Sequence, residues 1–136
     1  MLKIKDVLHF TIPVKDLDRA EQFYCGLLGM ERIRRTGHML FLRCNQTSFV
    51  CTLSENHIAP NRGDRHEIHT AFTMMPEEYD RAKIELAERG IAIFKEEPAR
   101  TTGTFHGRSA YFHDPDRNVI EIIDLVRGPV SELESR

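Results

Sequence analysis

The sequence predicts an α+β fold in which one chain carries two βαβββ modules, and two observations lead to this prediction. A strand, a helix and three short strands follow one another in the same order twice along the 136 residues. Three features also recur at a nearly constant spacing. They are His9 and His69 (60 residues apart), Gly29 and Gly90 (61 apart), and Asp18-Arg19-Ala20 and Asp80-Arg81-Ala82 (62 apart). Such an internal repeat predicts that each half folds as the same unit.

The first module is expected at residues 5–54. Its first strand is predicted at residues 7–14, VLHFTIPV, where alternate residues share a face. Asp16 is a candidate N-cap for a helix whose apolar residues run at helical spacing to Leu28, and Gly29 stands where a C-terminal glycine belongs. Three strands complete the module. They are predicted at residues 31–35, 39–43 and 48–53.

The second module is expected at residues 67–125 and begins with the strand EIHTAFTM. Pro76 opens a helix that Gly90 ends. The predicted buried stripe of this helix consists of Tyr79, Ala82, Lys83 by its stem, Leu86 and Ala87. Three strands follow, the last two joined by the turn DPDRN. They are predicted at residues 91–95, 109–113 and 118–124. The polar residues 55–66 form the expected linker, and the tail at residues 126–136 is expected to be disordered.

Composition excludes several classes of protein. Lys and Arg number 19 against 21 Asp and Glu, and a net charge of -2 provides no general field for nucleic acid. The apolar runs are far shorter than the ~20 residues that cross a bilayer, and the start MLKIKD lacks a signal core. The three cysteines have neither CxxC spacing nor a secretory context. We therefore expect an unprocessed cytoplasmic protein with free thiols and no membrane partner.

A metal site is predicted at His9, His69 and Glu121. The repeat gives the two histidines equivalent positions in the first strand of each module, and a pseudo-twofold axis would bring such positions together. Glu121 lies among apolar neighbours in VIEIID, and a divalent cation would offset the cost of burying its charge. Two imidazoles and one carboxylate leave coordination positions open for substrate oxygen or dioxygen. His66 and His69 point oppositely in a strand, so at most one of them serves this site.

Other residues have alternative roles. Tyr111 and His113 lie two residues apart on a predicted strand and so point to the same side. Both are candidates to line the cavity around the metal, and the alternative role of Tyr111 is packing. Overlaying the last hairpin on its counterpart at an offset of 70 residues puts Cys51 at the position of Glu121, and we expect Cys51 not to be a ligand. Arg108 either meets an anionic substrate or is simply exposed. A purely structural role for the histidines is the competing interpretation, since a single histidine more often satisfies a core or surface position.

From residue 7 to residue 125 the chain resembles the vicinal oxygen chelate superfamily, also called the glyoxalase, bleomycin resistance and extradiol dioxygenase superfamily. The features that carry the resemblance are HFTIPVKDLDRAEQFYCGLLGM, the histidine of HTAF, and GRSAYFHDPDRNVIEIID. The resemblance implies a glyoxalase-like fold, a curved mixed sheet around a cleft, and metal binding by His9, His69 and Glu121. It also implies homodimers whose metal sites draw on modules from both chains.

Three branches of the superfamily are similar to this chain. The segment from Tyr111 to Glu121 and the sequence FLRCN resemble extradiol dioxygenases, in which the tyrosine is an acid or hydrogen-bond donor. Arg117 replaces the glycine usual in that signature, and Gln46-Thr47-Ser48 replaces its histidine pair. Glyoxalase-type isomerases place a fourth ligand where this chain has Cys51. Fosfomycin-modifying enzymes share the three-ligand set and a similar last hairpin.

The resemblance implies a divalent-metal-dependent enzyme whose small substrate chelates the metal through oxygen, with Fe²⁺ or Mn²⁺ favoured and Zn²⁺ or Ni²⁺ as alternatives. Dioxygenase-like chemistry is the first expectation. Glyoxalase-type isomerase or lyase chemistry and fosfomycin-type modification are alternatives. Tyr111 and His113 are the expected catalytic residues. The rival class is a non-catalytic binding protein of the bleomycin-resistance type, which usually lacks the ligand triad.

Overall fold

The computed structural model describes residues 1–100 and 104–127, with the backbone alone for the last two of these. The chain divides into two compact units, Met1–Ala59 and Pro60–Arg136, each of which contains a four-stranded mixed sheet. The elements are β1 (His9–Val14), α1 (Leu17–Glu21), β2 (Glu31–Arg35), β3 (Met39–Cys44), β4 (Thr47–Leu53), β5 (His69–Met74), α2 (Pro76–Glu88), β6 (Lys95–Arg100), β7 (His106–His113) and β8 (Val119–Arg127). This order confirms the α+β class and the two βαβββ modules.

The two sheets have the same topology. The strand orders are β1-β4-β3-β2 and β5-β8-β7-β6, and in each sheet the first strand pairs in parallel with the last strand of its module. His9 faces Ser48 at the start of β1, and His69 faces Val119 at the start of β5. The two histidines therefore occupy equivalent register positions in their own sheets, as the repeat predicts.

The helix of the first unit begins as predicted and then changes type. Asp16 Oδ1 accepts a hydrogen bond of 2.9 Å from the backbone N–H of Arg19, which confirms the N-cap. The prediction of one α-helix was wrong beyond Glu21, because Gln22–Leu27 form a π-helix. Gly26, whose missing Cβ weakens an α-helix, lies within this π-helix. Gly29 ends the segment with φ +73°, a value that glycine adopts readily.

The second unit packs α2 on one face of its sheet. Tyr79 and Leu86 are the buried residues of the helix, whereas Ala87, predicted in the same stripe, is exposed. The first strand starts at His69 rather than at residue 67, because Asn61 binds the backbone of Ile68. Its side chain accepts from the Ile68 N–H at 3.0 Å and donates to the Ile68 carbonyl oxygen at 2.7 Å.

The strand predicted at residues 91–95 was placed too early, since β6 runs over Lys95–Arg100. The residues after α2 close the end of the helix instead. The Ile91 N–H donates to the Leu86 carbonyl oxygen at 2.8 Å, and Gly90 adopts φ +71°. This is the six-to-one bond of a Schellman motif, which uses the backbone of Ile91 before a strand can begin.

The remaining boundaries concern the linker and the tail. Residues 55–66 consist of turns, bends and irregular backbone, and residues 126–127 belong to β8 rather than to the predicted tail. The rest of that tail, residues 128–136, lies outside the described residues. Among the described helices, none has the length and apolar character needed to span a bilayer.

Alternation along β7 and β8 gives the second sheet two different faces. Ser109, Tyr111 and His113 share the face of Glu121, and Tyr111 pairs directly with Glu121. We call this face, which lies opposite α2, the site face. Arg108 lies on the other face of the sheet, where it contacts Asp80 and Tyr79 of α2.

Candidate functional site

Glu121 is the buried centre of the site face. The residue is 3% exposed. Its Oε2 lies 3.0 Å from His69 Nε2, and its Oε1 accepts a hydrogen bond of 2.8 Å from the Ser109 hydroxyl. Arg100 approaches the same Oε1 at 3.6 Å. An imidazole, a hydroxyl and a guanidinium thus surround a carboxylate whose charge would be costly to bury alone.

His69 is held from both sides of its ring. Nδ1 lies 2.5 Å from the backbone carbonyl oxygen of His66, while Nε2 faces Glu121. Both ring nitrogens therefore point at oxygen acceptors, an arrangement that suits either a doubly protonated ring or a cation bound at Nε2. A histidine whose Nδ1–H donates to a carbonyl presents Nε2 as a metal-binding lone pair. The nitrogen and carboxylate donors of this pair fit a divalent transition metal.

The third predicted ligand, His9, belongs to the first unit, where it is an exposed residue at the start of β1. The second unit brings His69 and Glu121 into contact. Within neither unit do the described residues gather three metal-binding side chains. The three-ligand site therefore stays a prediction that needs a contribution from both modules.

The predicted correspondence between Cys51 and Glu121 was wrong. In the second sheet Glu121 pairs with the third residue of β5, and in the first sheet the third residue of β1, Thr11, pairs with Val50. The turn of the second hairpin, β7–β8, is one residue longer than that of the first, β3–β4. An overlay of the hairpins at the single offset of 70 residues is therefore wrong by one position along β4. Cys51 instead pairs with Ile12 and with Leu40, on the opposite face from Val50, and is fully buried.

His66 is a site residue that the sequence did not predict. Its ring meets the Tyr111 ring edge to face at 4.6 Å, and it stacks on His69 at 5.9 Å. The expectation that His66 and His69 cannot serve the same site assumed a strand through both. Since β5 begins at His69, the alternation of a strand does not apply to His66.

Two cationic side chains lie on the site face around Tyr111. Lys95 Nζ is 2.9 Å from His66 Nε2 and 5.6 Å from the centre of the Tyr111 ring. Arg100 donates from NH2 to the Tyr111 hydroxyl at 2.9 Å. Glu97 accepts a hydrogen bond from Arg100, and this bond holds the pKa of Glu97 below its usual value.

Tyr111 keeps its proton to unusually high pH. Burial, followed by the negative charge of Glu121, raises the pKa of Tyr111 to about 12. The residue is 1% exposed, which agrees with the dominant role of burial. At neutral pH the hydroxyl is therefore neutral and keeps its proton, and the catalytic role expected for Tyr111 stays a prediction.

His113 lies on the same face, two residues along β7. Its ring stacks on Phe94 at 4.6 Å. Burial, followed by the positive charge of Arg117, lowers the pKa of His113, so the ring is neutral at physiological pH. Its catalytic role stays a prediction.

Arg108, whose side chain is 33% exposed, pairs with carboxylates on the face opposite the site. Nε donates to Asp124 Oδ2 at 2.8 Å, NH1 donates to Asp80 at 2.7 Å, and the guanidinium lies 4.6 Å from the centre of the Tyr79 ring. Asp124 is 2% exposed. Arg108 therefore joins α2 to the sheet on the face opposite the site.

Comparisons with known proteins identify the family of this chain. Residues 6–122 match the model of the Glyoxalase/Bleomycin resistance protein/Dioxygenase superfamily. The glutathione transferase FosA of Serratia marcescens is 26% identical over 121 residues, which cover 88% of this chain and 80% of that protein. The catechol-2,3-dioxygenase of Bacillus subtilis is 29% identical over 116 residues, or 82% of this chain and 38% of that protein.

A solved structure supports the same assignment. A variant of the fosfomycin resistance protein FosX from Listeria monocytogenes, in complex with Mn(II) and 1S,2S-dihydroxypropylphosphonic acid, is similar with a TM-score of 0.75 and 26% identity. The match covers 91% of this chain and 93% of the FosX chain. The chain belongs to the glyoxalase, bleomycin resistance protein and dioxygenase superfamily, as its sequence indicated.

Proposed function

We propose that this protein is a divalent-metal-dependent enzyme that modifies a small anionic substrate, with fosfomycin-type chemistry as the leading reaction. The observation that carries the proposal is the presence of two cations on the site face. Arg100 lies 3.6 Å from Glu121, and Lys95 contacts His66, whose ring stacks on His69. A metal held by the His69–Glu121 pair would bind a substrate oxygen, and the two cations on the same face favour a substrate that bears a phosphonate or carboxylate group.

The relatives support this choice. FosA and FosX align over most of this chain and are named for fosfomycin resistance or glutathione transfer, and one FosX structure contains Mn(II) with a phosphonic acid. The Mn(II) in that FosX structure favours Mn²⁺ among the candidate ions. We propose His9, His69 and Glu121 as the ligands of the metal and a homodimer as the functional assembly.

The residues of this chain would have the following roles. The metal, when bound, supplies Lewis-acid polarisation of a substrate oxygen. Ser109 and the His66 carbonyl fix the orientation of Glu121 and His69. Lys95 and Arg100 bind the anionic group. Tyr111, neutral at working pH, donates a hydrogen bond to the oxygen on which negative charge develops.

Dioxygenase chemistry is the second candidate. The catechol-2,3-dioxygenase relative aligns over most of this chain, and Tyr111 lies next to a predicted metal ligand, where that branch places an acid or hydrogen-bond donor. A dioxygenase of this kind would consume oxygen with a catechol. Lys95 and Arg100 have no evident role with a catechol, and for this reason we place the fosfomycin-type reaction first.

The test begins with full-length protein purified without chelator and analysed for metals. The protein is then supplied with Mn²⁺, and fosfomycin is followed by ³¹P NMR with water alone and with glutathione. In parallel, oxygen uptake is measured with catechols, and lactoylglutathione formation is measured from methylglyoxal and glutathione. We expect a new phosphonate signal that depends on metal. Oxygen uptake without fosfomycin turnover would replace our leading reaction by the second candidate.

Variants separate the ligands from other histidines. Glu121→Gln and His69→Ala should each lose metal and activity, whereas His38→Ala removes an exposed histidine and should keep both. Stoichiometric metal in the first two variants would refute the ligand assignment. Tight ligand binding with no turnover in any assay would identify a binding protein of the bleomycin-resistance type instead.

A further inference from the structure

We propose that His66 is a positioning residue that holds Lys95 for an anionic group of the substrate. His66 is the last residue of the predicted linker, and its ring nevertheless contacts both Lys95 and Tyr111 on the site face. This inference rests on the anionic substrate proposed above, and it assigns a role to a residue outside the expected ligand set.

The chemistry of the contact fixes the direction of the hydrogen bond. A lysine ammonium group has donors and no acceptor, so His66 Nε2, at 2.9 Å from Lys95 Nζ, must accept. Glu97 Oε1 lies 3.4 Å from the same ammonium group. Lys95 is thus held between a ring nitrogen and a carboxylate, although its side chain is 40% exposed and the free side chain would sample many rotamers.

The ring of His66 is itself held in place. It packs edge to face on Tyr111, with ring centres 4.6 Å apart and planes at 84°, and it stacks on His69 at 5.9 Å. The Tyr111 ring is buried and fixed in β7. His66 therefore connects a rigid part of the sheet to a flexible lysine, and a lysine that is already positioned loses less entropy when it binds an anion.

The backbone and the ring of His66 have separable tasks. The carbonyl oxygen of His66 contacts His69 Nδ1. A substitution at position 66 that leaves the backbone in place retains this contact. The ring alone contacts Lys95. A side-chain variant should therefore weaken anion binding more than metal binding.

The test uses full-length Mn²⁺-loaded protein and inorganic phosphate as the probe, with the phosphate affinity measured by isothermal titration calorimetry. His66→Leu removes the acceptor and should weaken phosphate binding about 10-fold, while His66→Gln offers a side-chain oxygen as acceptor and should stay within about 3-fold of the wild type. Mn²⁺ affinity, measured by EPR, should fall by a smaller factor than phosphate affinity in His66→Leu, because the carbonyl contact with His69 is retained.

A double-mutant cycle distinguishes positioning from packing. Lys95→Met should weaken phosphate binding more than His66→Leu does, and adding His66→Leu to Lys95→Met should cause no further loss. The inference would be overturned if His66→Leu weakened phosphate binding equally in the wild type and in Lys95→Met. It would also be overturned if His66→Leu and His66→Gln weakened phosphate binding equally, because the ring would then only fill space. Thermal unfolding of each variant verifies that it is folded.

Turnover gives an independent measurement. With fosfomycin, His66→Leu should raise KM and leave kcat within about 2-fold, because the contact acts on binding. Phosphate binding that responds to His66 as described, in a protein that never turns over fosfomycin, would support this inference and refute the proposed reaction. Absence of phosphate binding in the wild type would overturn the inference even if the enzyme proved active on another substrate.

Discussion

The ionisation of Tyr111 offers a direct measurement of the electrostatics on the site face. Burial and the charge of Glu121 raise the pKa of Tyr111 to about 12, compared with an ordinary value of 10.0. This difference of about two pH units corresponds to about 2.7 kcal/mol between the two protonation states. Phenolate absorbance at 295 nm reports the ionisation without interference from tryptophan, because the chain has 3 tyrosines and no tryptophan.

The assay is a pH titration of metal-free protein in the presence of a chelator, followed at 295 nm for the wild type and for Tyr111→Phe. The difference between the two curves gives the midpoint of Tyr111, which we expect near 12. Glu121→Gln should move this midpoint down, because it removes a negative charge. Arg100→Met should move it up, because the guanidinium stabilises the phenolate. Far-UV circular dichroism shows the pH at which each protein unfolds.

The same shift predicts how stability depends on pH. The unfolded chain loses the Tyr111 proton near pH 10, whereas the folded chain keeps it to about pH 12. The contribution of the Tyr111 proton to the unfolding free energy is therefore fully present below pH 10 and is lost as the pH rises through about 12. Over this range the unfolding free energy of the wild type should fall by up to about 2.7 kcal/mol more than that of Tyr111→Phe. A wild-type midpoint at 10, or equal pH dependence of the two proteins, would refute the reasoning.

Three further predictions concern stability and are tested by urea unfolding. At Gly107, φ is +146° and a Cβ would lie 1.8 Å from a backbone carbonyl oxygen of β8, so Gly107→Ala should cost more than about 3 kcal/mol. Gly29→Ala, with open space around its Cβ, should cost about 1 kcal/mol, and equal costs would contradict the clash. Ser109→Ala should lower stability by about 1–3 kcal/mol, because Glu121 loses a buried donor; an unchanged midpoint would mean that the bond contributes nothing. Asp16→Ala should cost about 1 kcal/mol through loss of the cap, and a neutral result would contradict that role.

The sequence predicted those parts of the fold that depend on local patterns. Alternation located most strands, Asp16 and Pro76 marked the starts of helices, and Gly29 and Gly90 marked their ends. These signals are local because capping and alternation depend on a few neighbouring residues. The repeat then added long-range information, since it required the two halves to share one topology.

The errors arose where tertiary contacts decide the structure. The strand β6 contains Pro98 and several charged residues, which have low strand propensity, and it forms because it pairs with β7. His66 joined the site through a bend before β5, and no sequence period describes a bend. The mismatch between Cys51 and Val50 came from one additional residue in a turn, which only the pairing register shows.

That extra residue in the second hairpin has a consequence for protein engineering and for the alignment of the two halves. A designer who wishes to give the first half a carboxylate comparable to Glu121 should substitute Val50, because a change at Cys51 would put a charge into the helix-packed interior. One additional residue confined to a connection leaves every strand paired and yet shifts the numbering by which the two halves correspond. The two halves should therefore be aligned by their hydrogen-bonded partners and not by gap-free sequence.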